Sequence, residues 1–186
     1  MIRAFIGIEI DSPTARNISA ALVHLKPHVP GIRWVAPTNF HFTLKFLGNI
    51  DESKIDPVAR ALELHFHLFP RFTINAKGLG VFPDFRRPRI LWVALIGNEL
   101  AALASKVETA LEPLGFAPEK RAFKPHLTVG RWRQFDGSSR KLREEVERWK
   151  SYEFGQSAIT TVIFFRSVLS QEGTTYHPLK VVALAQ

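Results

Sequence analysis

The sequence predicts an α+β protein of two similar lobes, and three observations carry that reading. Stretches rich in Val, Ile, Phe and Thr with strand-like patterning are interleaved with segments whose apolar residues recur at helical spacing. A His-x-Thr-apolar tetrad occurs twice, at His41–Leu44 and His126–Val129, 85 residues apart (126 minus 41), each followed by a helical segment and two strands. At 46% apolar residues, with no linker or low-complexity tract, the chain supports a shared core, so residues 1–186 are expected to form a single bilobal domain.

The elements follow from local signals. Residues 2–10 form an apolar strand, and Asp11-Ser12-Pro13 supplies a cap and an early proline for a helix to about His28. Ile32–Val35 is a short extended piece; Pro37-Thr38-Asn39 turns the chain into the His41 strand, which Gly48 is expected to close. Ile55, Val58, Ala59, Leu62 and Phe66 mark one face of a helix over residues 51–68. Two strands, 72–81 and 89–95, are most simply paired as a hairpin around the basic loop at Asp84–Pro88. Asn98 is expected to cap a helix that runs through Leu114 to Gly115. After the His126 strand, Ser138 begins a charged helix to Lys150 with Leu142, Val146 and Trp149 on its buried face. Residues 157–169 and 175–184 close the chain as two strands around a turn at Gln171-Glu172-Gly173.

Charge and composition narrow the function. Twenty-five Lys and Arg against seventeen Asp and Glu leave a net charge of +8, which suits an anionic partner such as RNA or a nucleotide. Without cysteine there is no disulfide framework and no thiolate metal site. The apolar start is broken at Glu9 and lacks a small-residue cleavage site, and the longest apolar run, 90–96, is too short to span a bilayer. A cytoplasmic protein, monomeric and away from membranes, is the expectation. His65 and His67 diverge on a helix, His24 and His28 lack an acidic third ligand, and His177 stands alone, so no metal or other cofactor is expected. No Walker-type loop or Gly-x-Ser-x-Gly elbow is present.

The two tetrads carry the chemistry. In a strand, the period of two puts His41 with Thr43, and His126 with Thr128, on one face each. This composition yields two such tetrads by chance about one time in fifty, so the pair outweighs a single strand histidine with a satisfied imidazole. Two imidazoles titrating near neutrality offer an acid and a base across one phosphate, and two threonine hydroxyls offer donors to its non-bridging oxygens. Lys45 alternates with His41 and Thr43 and is read as a groove-facing cation, against a solvated lysine at a strand end. Strict alternation puts Arg131 on the wrong face for a phosphate clamp unless Gly130 permits a bulge that turns it inward. Phe46 is read as core, with base stacking as the alternative. The residues alone leave open which histidine is acid and which base.

With these motifs the chain resembles the 2H phosphoesterase superfamily, specifically the bacterial and archaeal RNA 2',3'-cyclic phosphodiesterases once named 2'-5' RNA ligases. The resemblance covers nearly the whole length. It rests on Arg-Ala-Phe-Ile-Gly-Ile at 3–8, Trp-Val-Ala-Pro-Thr-Asn-Phe before His41 and Phe-Leu-Gly after Lys45, then on Gly-Leu-Gly-Val-Phe-Pro at 78–83, Arg-Pro-Arg-Ile-Leu-Trp at 87–92 and Phe-Lys-Pro-His-Leu-Thr-Val-Gly-Arg at 123–131. It implies two facing antiparallel sheets with helices outside and the site in the groove between lobes. It further implies His41 as proton donor, His126 as proton acceptor, and metal-independent hydrolysis of a ribose 2',3'-cyclic phosphate to a 2'-phosphomonoester, with reversible RNA joining as a side activity. The alternatives are a phosphodiesterase for 2'-5' oligonucleotides and a non-catalytic RNA- or nucleotide-binding module, against which the retention of two histidines argues.

Overall fold

A computed structural model of the chain describes residues 1–170 and 173–186. Its strands are β1 (Ile2–Glu9), β2 (Arg33–Trp34), β3 (His41–Ile50), β4 (Phe72–Phe82), β5 (Ile90–Ile96), β6 (His126–Arg131), β7 (Glu153–Ile159), β8 (Thr161–Ser170) and β9 (Gly173–Ala183). The helices are α1 (Ser12–Leu25), α2 (Ile55–Phe66), α3 (Glu99–Leu111) and α4 (Ser139–Arg148). The strands form two antiparallel sheets, β3-β1-β8-β9 and β2-β6-β5-β4-β7. Each sheet holds one of the two motif strands.

The helices lie outside the sheets, as expected, and they cross over. Helices α2 and α3 pack on the first sheet, against β9 and β3, whereas α1 and α4 pack on the second, against β7 and β4. Thus α1 leaves β1 in one sheet and covers the other. A continuous apolar core, including Ile6, Ile8, Ile18, Leu62, Leu91, Leu103, Val107, Leu127 and Phe154, joins the two sheets, and a small separate cluster of Phe5, Ile163 and Phe165 lies on the other face of the first. No helix is long and apolar enough to cross a membrane among the described residues.

Local chemistry explains most boundaries. Asp11 accepts from the Thr14 amide at 2.8 Å and caps α1, with Pro13 in its first turn. Ser138 caps α4 through the Lys141 amide. Asn98 occupies the cap position of α3 but its backbone is already helical and its side chain makes no capping bond. Helix α1 ends at Leu25, passing into a 3-10 turn over 26–28, and α2 starts at Ile55 after a 3-10 turn over 52–54.

Three expectations are corrected. Gly48 does not close β3, which continues to Ile50; it sits inside the strand with φ of 74°, next to an irregularity in the β1 pairing that its freedom at positive φ accommodates. The strand predicted over 157–169 is two strands that part at Thr160, β7 on the edge of one sheet and β8 within the other. No glycine or proline marks that crossing, so the apolar pattern runs through it unbroken. The repeat therefore holds only in part: β3 is followed by a helix and two strands, β6 by a helix and three, and those three are divided between the sheets. The β4–β5 hairpin and the antiparallel β8–β9 pair are as expected, although Gln171 and Glu172 of the intervening turn lie outside the described residues.

Candidate active site

Both motif histidines are the first residues of their strands. This position has a consequence: each imidazole folds back on the turn before it. His41 Nδ1 lies 2.8 Å from the Asn39 carbonyl oxygen, and His126 Nδ1 lies 2.7 Å from that of Lys124. A carbonyl only accepts, so each Nδ1 is the donor. In the neutral ring the proton is held on Nδ1, leaving the Nε2 lone pair to act. The Asn39 side chain also donates to the Thr174 carbonyl at 2.8 Å, tying this turn to β9.

Each ring rests among aromatic side chains. Phe5 lies 4.8 Å from His41 between ring centroids and Tyr176 meets it edge-on at 4.6 Å. His126 is met edge-on by Phe82 at 5.0 Å and flanked by Phe42 and Trp92 at 6.4 Å. Glycines make the room. A Cβ on Gly7 would come 2.8 Å from the Phe42 carbonyl and close to the rings of Phe5 and Phe165; one on Gly80 would come 2.2 Å from Cζ2 of Trp92.

This burial is the main cause of the electrostatics. It pushes His41 down to about 4, against the Asn39 carbonyl, which favours the protonated ring; the Arg131 charge adds to the lowering. Burial likewise lowers His126, opposed by the Lys124 carbonyl and again assisted by Arg131. One guanidinium thus acts on both imidazoles. It acts on the Tyr176 phenol too.

Arg131 reaches this position through a bulge. Leu91 pairs with Gly130 but Trp92 pairs with Thr128, so Val129 is the extra residue and the alternation shifts by one. Arg131, opposite Ile90, then shares a face with Thr128. Thr43 and Thr128 are half-buried, between buried apolar neighbours that point into the core.

A second bulge corrects the reading of Lys45. Gly7 pairs with Thr43 and Ile6 with Lys45, leaving Leu44 unmatched. Lys45 is carried to the core side, only 6% exposed, where it is ion-paired with Glu108 of α3 and donates to the Ala117 carbonyl at 2.7 Å. It does not share the face of His41 and Thr43. The same shift corrects Phe46, which is 59% exposed and lies on the face of Phe5 rather than in the core.

Sequence reading missed Phe5, Tyr176, Phe82 and Trp92 as neighbours of the histidines. The signals present were the glycines two residues from Phe5 and Phe82, where a missing side chain admits a ring. Among the described residues no cluster of three His, Cys, Asp or Glu side chains is arranged to hold a metal ion.

A two-sheet α+β fold that presents one His-x-Thr strand from each sheet beside a shared arginine defines a class of two-histidine phosphoesterase folds, and the comparisons agree. Residues 8–92 and 94–176 match the family described as LigT like Phosphoesterase. An RNA 2',3'-cyclic phosphodiesterase of Methanocaldococcus jannaschii is 31% identical over 96% of this chain and 99% of its own, and one of Aquifex aeolicus is 33% identical over 95% and 94%. The fold matches that of Escherichia coli LigT complexed with 3'-AMP with a TM-score of 0.79, at 24% identity, covering 100% of this chain and 99% of that one. The chain belongs to the LigT-like phosphoesterase family.

Proposed function

We propose that this protein is a metal-independent RNA 2',3'-cyclic phosphodiesterase that yields 2'-phosphomonoester ends, with His41 as general acid and His126 as general base. The observation that carries this reading is the matched pair of Nδ1–carbonyl anchors, at 2.8 and 2.7 Å, on two imidazoles that feel one arginine. Relatives of similar length, 31% and 33% identical, are named RNA 2',3'-cyclic phosphodiesterase.

The anchors suit the reaction. Neutral His126, proton on Nδ1, accepts a proton from water through Nε2 as the water oxygen bonds to phosphorus. On the opposite side, the P–O3' bond breaks and protonated His41 gives its Nε2 proton to the departing O3', leaving phosphate on O2'. Free His41 is mostly neutral at pH 7, because its burial holds it to about 4. The bound phosphodiester, an anion against the ring, restores the proton. Thr43, Thr128 and Arg131 donate to the non-bridging oxygens, where charge accumulates. Phe46 offers its exposed ring to the terminal base. Every group named comes from one chain, so a monomer is sufficient. With a 5'-hydroxyl in place of water, the same acid–base pair would join RNA ends.

Incubation of the purified protein with a 2',3'-cyclic mononucleotide in EDTA tests this. Release of the 2'-monophosphate, resolved from the 3' isomer by chromatography, is the expected result. Binding without product would leave only a nucleotide-binding module.

A further inference from the structure

The face of the first sheet that carries His41 continues past it into a row of polar groups with no part in the reaction so far described. Cross-strand pairing places Asn49, Arg3, Ser167 and Tyr176 side by side across β3, β1, β8 and β9. The neighbouring row holds Phe46, Phe5 and Phe165, and two residues separate the rows along each of β1 and β8, about 7 Å in a strand. Tyr176 bridges the rows: its ring packs on Phe5 at 5.2 Å and on His41 at 4.6 Å. Its phenol lies within electrostatic reach of two guanidiniums, Arg131 on the reaction side and Arg3 on the far side. Arg3 is exposed, and among the described residues neither arginine is paired with a carboxylate. The row itself contains no acidic residue.

We infer that Arg3 and the Tyr176 hydroxyl form a second phosphate subsite, which takes the phosphate on the 5' side of the terminal ribose and favours RNA ends over free cyclic mononucleotides. The inference rests on the cyclic phosphodiesterase reading above. Two donors of this kind suit a phosphate oxygen: a guanidinium presents paired N–H groups and a phenol one O–H. With the terminal base on Phe46 and the cyclic phosphate beside Arg131, the chain would leave across the row that holds Arg3. A base edge would find acceptors as well as donors useful, whereas a guanidinium beside a phenol, with no carboxylate partner among the described residues, selects an anion.

The test compares three substrates: adenosine 2',3'-cyclic phosphate, the same nucleotide bearing a 5'-phosphate, and a diadenylate ending in the cyclic phosphate. For Arg3→Gln, kcat/KM on the two substrates with the extra phosphate should fall about tenfold further than on the plain mononucleotide, the loss of one charge-assisted contact. The slope of log kcat/KM against log salt for the diadenylate should shrink by about 0.7, the value of one single-strand phosphate contact. Tyr176→Phe, which keeps the ring on His41, should reduce the same preference. Arg16→Gln on the exposed face of α1 removes equal charge elsewhere and should leave the preference in place. An equal loss on all three substrates with Arg3→Gln, no loss at all, or a matching loss with Arg16→Gln overturns the subsite. If the wild-type protein turns over none of the three, the catalytic reading itself fails.

Discussion

The Lys45 ammonium is buried against the Glu108 carboxylate, joining the strand of the first histidine to helix α3. The same ammonium holds the Ala117 carbonyl, at the start of the segment that leads to the second histidine. Lys45 side chain is 5% exposed and Glu108 22%, so removal of either partner strands a charge in poorly solvated surroundings. Lys45→Met and Glu108→Leu singly should each cost about 3–5 kcal/mol, and the double variant should recover most of that loss, as read by urea unfolding. Equal and additive losses would show that the two groups act independently.

Removal of either histidine addresses the chemistry directly. His41→Ala and His126→Ala should each reduce kcat by about 10²–10⁴ on a cyclic mononucleotide while the fold, followed by circular dichroism, is retained. A variant that keeps more than a tenth of the activity would exclude that ring from proton transfer.

Arg131 acts on both rings, and the sign of its effect is defined. A nearby cation disfavours the imidazolium, so Arg131→Gln should raise the pKa of His41 and of His126 together, seen in the NMR titration of their Hε1 protons. The same variant should lose about 10²-fold in kcat/KM, from the missing donor to the phosphate.

The low value for His41 also makes stability depend on pH. The unfolded ring titrates near 6.5 and the folded one at about 4, so the folded state holds fewer protons between these values. The contribution of the buried neutral ring is fully present above pH 6.5 and declines as pH falls towards 4, by up to ~3 kcal/mol. Denaturant unfolding between pH 7 and 4 should show this decline, and His41→Phe should flatten it. Added inorganic phosphate should shift the His41 titration upward.

Gly80 is tested through Trp92. A methyl group there would press on the indole at 2.2 Å, so Gly80→Ala should destabilise the protein by about 1–3 kcal/mol and alter tryptophan fluorescence. Because Trp92 and Phe82 flank His126, kcat should fall with it. An unperturbed variant would show that the indole has room to move.

The His-x-Thr pairs, the buried faces of α2 and α4 and the family resemblance can be read from the chain alone. These are legible because strand and helix periods are properties of a few consecutive residues, and because the prolines at 37 and 125 mark turns that lead into the two histidine strands. Which way Lys45, Phe46 and Arg131 point depends on strand pairing in the folded protein. Each lies beyond a bulge, at Leu44 or Val129, and a bulge exists only where one strand carries a residue more than its partner. Strict alternation misassigned Lys45 for that reason and left Arg131 undecided. The division of residues 153–170 between two sheets has the same origin: partners far away in the chain, β4 for β7 and β1 for β8, set where each segment pairs. So does the convergence of two imidazoles 85 residues apart (126 minus 41) on one guanidinium.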